Sequence, residues 1–112
     1  MQICAHLVDQ LPSFLDGHRA RLVRPTTPLT HAWGSPPIVL RCGVDRPAGY
    51  SPSSAQTTDV DGVSWFQQVH ANIVTWTAVR HDTNIELDVP TAYDAQGGFL
   101  VELGKSIRAS IP

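Results

Sequence analysis

The feature that most restricts what this chain can fold into is its pair of cysteines, Cys4 and Cys42, the only two thiols, set 38 positions apart. The spacing is too long for a CxxC redox pair or a zinc knuckle. Two states are open to them. Reduced, each would be a small, buried apolar side chain. Bridged, they would tie the N-terminal segment to the apolar run Ile38-Val39-Leu40-Arg41-Cys42. An N-terminal segment frays unless something fixes it. Closing a loop of this size stabilises a fold by about 4 kcal/mol in the chain-entropy model, a large part of a total stability of roughly 5–15 kcal/mol. The bridged state is the expected one, and it implies an oxidising compartment.

The rest of the chain must build one core around that tie, because 112 residues suffice for one domain, spanning 1–112, and not for two. Cys4, Leu7, Val8 and Leu11 recur at the spacing of one helical face, and Pro12 and Gly17 punctuate the segment beyond it. Residues 19–23 alternate charged and apolar side chains, as an edge strand does, until Pro25 and Pro28 stop it. Residues 26–37 read as loop. The run Ile38 to Cys42 reads as a central strand buried on both faces, and residues 43–58, rich in Pro, Gly, Ser and Thr, as a long surface loop.

Val60-Asp61-Gly62-Val63 holds an Asp-Gly turn pair leading into a strand through Trp65 and Phe66. Residues 73–79 have strong β propensity, and residues 84–89 alternate with Ile85, Leu87 and Val89 inward and Glu86 and Asp88 outward, so Arg80-His81-Asp82-Thr83 joins two strands as a hairpin. Leu100, Leu103, Ile107 and Ile111 predict a C-terminal helix beginning near Asp94 or Gly98. The expected fold class is α+β, a two-layer sandwich of four to five antiparallel strands with the N- and C-terminal helices on one face.

Charge removes some functions. Ten acidic residues against eight basic give a formal net charge of -2 with no run of like charges, which argues against nucleic acid as a partner. No stretch approaches the roughly 20 apolar residues that span a bilayer. The start Met1-Gln2-Ile3-Cys4 has neither the basic head nor the apolar body of a signal peptide, so any membrane association is expected through a separate N-terminal export or anchor segment.

Motifs with a mechanism attached are missing: no GxSxG elbow, P-loop, GxGxxG, HExxH or EF-hand loop occurs. Neither a cofactor nor a metal is expected. His6, His18, His31, His70 and His81 lack the i, i+4 pairing that sets two imidazoles on one helix face. Asp59 and Asp61 fit a turn better than a cation site. Of the three tryptophans, Trp76 lies in a β run and reads as core, whereas Trp33, in a stretch read as loop, is expected to be exposed, and Trp65 joins it as a candidate aromatic contact. Arg41 interrupts an apolar strand. A guanidinium there needs a partner, Asp45 or Glu86, or else serves an anion in a pocket shared with Arg80.

The block Trp33-Gly34-Ser35-Pro36-Pro37-Ile38-Val39-Leu40-Arg41-Cys42-Gly43-Val44 resembles an actinobacterial group of predicted exported proteins, catalogued as domain of unknown function 3515. The likeness continues through Cys4, Val60-Asp61-Gly62-Val63-Ser64-Trp65, Val79-Arg80 and the closing helix. It implies a secreted or membrane-anchored location and supports the disulfide, while carrying no reaction. The expected function is therefore an extracytoplasmic, cell-envelope binding module, non-enzymatic, contacting an envelope protein or cell-wall component through Trp33, Arg41, Asp45, Trp65 and Arg80. The sequence sets no oligomeric state. The alternative is an envelope-acting hydrolase or transferase with His31, Asp45 and Arg80 converging from separate loops.

Overall fold

Period-2 alternation dominates this chain, and in the computed structural model, which describes residues 2–22, 29–51, 56–79, 83–94 and 96–110, it builds one broad sheet. The order along the chain is α1 (Gln2–Gln10), β1 (Phe14–Leu15), β2 (His18–Arg21), β3 (Thr30–Trp33), β4 (Ile38–Cys42), β5 (Thr58–Val60), β6 (Val63–Val69), β7 (Ile73–Val79), β8 (Asn84–Pro90) and α2 (Gly97–Ser110). The strands lie in the order β1-β2-β3-β4-β8-β7-β6-β5. Each half of the chain thus makes a four-stranded antiparallel meander. The last strands of the two meanders, β4 and β8, meet at the centre with Leu40 opposite Leu87 and Cys42 opposite Ile85.

Both helices pack on the face that carries Ile38, Leu40 and Cys42. Cys4 and Leu7 of α1 and Phe99, Leu100, Leu103 and Ile107 of α2 close one core with Leu15, Trp33, Val63, Trp65, Ile85, Leu87 and Val89. The Cys4–Cys42 disulfide is formed, with Cα atoms 5.6 Å apart, and it fastens α1 to the middle of the sheet. The Ser106 hydroxyl donates to the carbonyl of Gln10 (3.2 Å), joining the two helices.

The α+β class and the placement of the helices agree with the sequence reading; the sheet is larger than four to five strands. The additional strands come from segments too short or too irregular to show a period. Thr30–Trp33 lies within the stretch read as loop, yet pairs with β4 over Thr30↔Arg41 through Trp33↔Ile38. The connection between them, residues 34–37, holds a cis Ser35–Pro36 peptide. Phe14–Leu15 and Thr58–Val60 are short edge strands, each joined to its neighbour by an Asp-Gly turn. Asp16 and Gly17 have φ of 48° and 85°, and Asp61 and Gly62 have 51° and 88°, the left-handed pair that a two-residue hairpin requires. A second correction concerns β4 itself. It is central, between β3 and β8, but buried on one face only, because among the described residues nothing helical covers the side on which Val39 and Arg41 stand.

Candidate functional site

The uncovered face of the sheet is where charge collects. Alternation in β4 and β8 turns Arg41, Glu86 and Asp88 to that side, and the pairing sets Arg41 opposite Glu86 and Val39 opposite Asp88. From β7, Thr77 stands opposite Glu86 and Thr75 opposite Asp88. Arg41 Nη1 lies 3.2 Å from Glu86 Oε2 and 2.6 Å from Asp88 Oδ2, while Thr75 Oγ1 donates to Asp88 Oδ1 at 2.9 Å. The side chains of Glu86 and Asp88 keep only 25% and 18% of their exposure against 44% for Arg41, so the carboxylates form the floor and the guanidinium the rim.

Two carboxylates sharing one guanidinium leave the cluster short of positive charge. Burial pushes the Glu86 carboxyl above its ordinary value, the hydrogen bond and negative charge of Asp88 push it further, and Arg41 works in the opposite direction. The arrangement can therefore hold a proton between Glu86 and Asp88, or accept a cationic or hydrogen-bond-donating group, at lower cost than an isolated surface carboxylate.

A loop borders the cluster. Residues 43–51 leave β4 and turn over the same face, held by Asn84 Nδ2 donating to the carbonyl of Val44 (3.1 Å) and Gln68 Nε2 donating to that of Ala48 (3.2 Å). Tyr50 meets the edge of Phe66 at 5.4 Å, and the Arg46 guanidinium sits 5.7 Å from the centre of the Tyr50 ring. Phe66 pairs across to Thr77, and Thr77 keeps 1% of its exposure although no helix of the described residues lies on this side. This part of the expected long loop is ordered by the sheet beneath it. Asp45, in this loop, is exposed.

The residues singled out from the sequence divide. Arg41 and Asp45 belong to this face, and Arg41 finds its partners in Glu86 and Asp88 rather than in Asp45. Trp33 and Trp65 do not. Both are fully buried on the helix side: Trp33 is a strand residue whose Nε1 donates to the carbonyl of Pro12 (2.9 Å), and Trp65 pairs opposite Ala78 inside the core. Neither offers a ring face to a ligand, which corrects the expected exposure of Trp33 and the aromatic contact assigned to Trp65. Trp76, read as core, is half-buried, with Nε1 donating to Gln96 Oε1 (2.8 Å). Arg80 lies outside the described residues, as do His81 and Asp82.

Of the expected convergence of His31, Asp45 and Arg80, Arg80 lies outside the described residues, and His31 and Asp45 stand on different sides of the sheet. His31 pairs opposite Leu40, so its ring points to the helix side, where it packs 4.8 Å from Trp33, while Asp45 rides on the loop over the other face. Burial pushes the His31 imidazole below its ordinary pKa, and its Nε2 is shut from water with no hydrogen-bond partner. Asp59 and Asp61 serve the β5–β6 hairpin separately: Asp59 accepts from the Ser64 hydroxyl, and Asp61 pairs with Arg108 of α2 at 3.2 Å. Asp88 and Thr75 are the members of the cluster that the sequence does not single out, and Asp88 is the charged one. Its outward position is evident from alternation, but its nearness to Arg41 depends on β4 and β8 being neighbours, which no local pattern encodes.

A family model described as "Protein of unknown function (DUF3515)" matches residues 1–112. No curated protein and no solved structure matches the chain.

Proposed function

The chain belongs to the DUF3515 family, and from that premise we propose that it is a cell-envelope binding module, working outside the cytoplasm and contacting an envelope protein or a cell-wall component through the helix-free face of its sheet. The observation that carries the reading is the fixed polar network on that face. Arg41, Glu86, Asp88 and Thr75 already hold one another in place beside a loop pinned by Asn84 and Gln68. A surface ordered before contact loses little side-chain freedom on binding, and that loss is a main cost of association.

The location is supported by the Cys4–Cys42 bridge, since such bonds persist in oxidising compartments. No helix among the described residues is long and apolar enough to cross a membrane. In this reading any membrane attachment runs through a separate anchor segment.

Thermal unfolding of the oxidised protein against muropeptides, glycans, lipid headgroups, nucleotides and divalent metals tests the proposal. A ligand at about 100 times its dissociation constant adds about 2.7 kcal/mol, which moves the midpoint of a domain of this size by roughly ten degrees. One envelope class is expected to raise the midpoint, and Arg41→Gln or Asp45→Ala to reduce that rise. Chemical turnover of the stabilising compound would replace the binding module with a hydrolase or transferase. Silence across the panel, together with no crosslinked adduct from a photoreactive group at position 45 on intact cells, would remove the proposal.

A further inference from the structure

A shallow site separate from the Arg41 cluster lies toward the β1 edge of the sheet. The β1–β2 hairpin and the turn after β3 enclose a shallow depression of about 370 Å³, lined by residues 17–21, Gly34 and Ser35. None of these residues is acidic. Arg19 and Arg21 stand two apart on β2 and so share one side of the strand, two strands away from Arg41.

What distinguishes these arginines is the nature of their partners. Arg41 is opposed by Glu86 and Asp88, and Arg108 by Asp61. Arg21 Nη1 instead donates to the backbone carbonyl of Gly34 (3.1 Å), and the Arg19 guanidinium sits 5.8 Å from the centre of the Phe14 ring. A carbonyl and an aromatic ring orient a guanidinium without cancelling its charge. Each head therefore keeps its positive charge and most of its five donors for a further acceptor.

The backbone around the two heads is shaped to admit that acceptor. Gly17 has open space where a Cβ would stand. Gly34, at φ of 76°, could not carry a Cβ, which would fall 2.7 Å from the Tyr93 hydroxyl. That hydroxyl donates to the carbonyl of Pro36 (2.6 Å) and so fixes the turn from behind. Ser35, next to Gly34, is exposed at the wall of the depression.

We propose that this depression is an oxyanion site, with Arg19 and Arg21 as charged donors and Ser35 as an additional hydroxyl donor, and that it takes a carboxylate or phosphate group of a larger molecule. Planar guanidinium donors match both anions. The site is independent of the Arg41 cluster, whose surplus of carboxylates suits the opposite charge.

Titration of the ¹⁵N-labelled chain of residues 1–112 at constant ionic strength with inorganic phosphate, and separately with N-acetylalanylalanine, tests the proposal. Saturable shifts are expected at the amides of residues 17–21, Gly34 and Ser35, and the probe that saturates at the lower concentration identifies the anion class. Arg19→Gln and Arg21→Gln should each raise the dissociation constant about tenfold, the usual weight of a charge-assisted contact. Lys105→Gln, which removes an exposed charge on α2, should leave it unchanged. Both arginines are solvent-facing, so the variants should keep the wild-type unfolding midpoint. The proposal is overturned by the absence of saturable shifts with either probe, by shifts that survive in the Arg19→Gln/Arg21→Gln double variant, or by an equal loss in Lys105→Gln.

Discussion

Strand β4 has two unlike sides. Ile38, Leu40 and Cys42 are sealed against two helices, and Cys42 is covalently bound to one of them; Val39 and Arg41, one residue away in each case, look onto water and a polar network. The same alternation runs through β8, where Ile85, Leu87 and Val89 fill the core while Glu86 and Asp88 face out. The difference teaches where the molecule keeps its stability and where it can vary its chemistry. The covered side is bound to its neighbours by volume and by one disulfide. The open side is bound by charges that water partly screens.

The largest expected effect lies on the covered side. Replacing Cys4 and Cys42 with serine, or reducing the bond, should lower unfolding stability by about 4 kcal/mol, read from urea melts of the oxidised and reduced forms. A loss under about 1 kcal/mol would mean that α1 is held without the bond, by the packing of Leu7 and Ile3 and by the Ser106–Gln10 hydrogen bond. Next comes the contrast within β4. Leu40→Ala should cost about 3 kcal/mol, since the cavity would sit between sheet and helices. Arg41→Gln should cost only about 1 kcal/mol, because exposure at the rim screens its ion pairs. Equal losses from these two variants would break the division between the faces.

The smallest effect is also the most discriminating, because the two sides titrate in opposite senses. Glu86, on the open side, has a folded-state pKa raised above its unfolded value. Its contribution is intact below the ordinary carboxylate range and is lost as pH rises through the raised folded value. His31, on the covered side, has a folded-state pKa below its unfolded value. Its contribution is intact above the ordinary imidazole pKa and is lost as pH falls through the lowered folded value. Glu86→Gln should remove the first slope from a plot of stability against pH, and His31→Phe the second. If either variant removed both slopes, the two groups would be coupled through the sheet.

Much of this division is legible in the linear chain, and the misses have identifiable causes. The alternation of residues 84–89 assigns Ile85, Leu87 and Val89 to the core, and the periodicity of Leu100, Leu103 and Ile107 places α2 over them. The Asp61-Gly62 pair marks one hairpin. Asp16-Gly17 carries the same signal but reads as simple punctuation, because the strand before it is only two residues long. Trp33 is misleading for a different reason. Its neighbours Gly34, Ser35, Pro36 and Pro37 read as loop, and a four-residue strand that depends on β4 for its pairing leaves no period of its own. The open-face cluster is half legible: Arg41 asks for a carboxylate and Glu86 is a candidate. Asp88 and the cover supplied by Tyr50 arise from tertiary proximity, which the linear pattern does not encode.

The bridge between α1 and β4 also sets how the molecule would carry tension. A pull applied ahead of Cys4 passes through the sulfur atoms directly to Cys42, in the central strand, so residues 5–41, with β1, β2 and β3 among them, hang as a closed side loop outside the line of force. The load enters the sheet at Cys42, which pairs with Ile85 of β8, a strand whose far side is braced by seven residue pairs with β7. Reduction of that one bond would reroute the same pull through the two-residue edge strand β1.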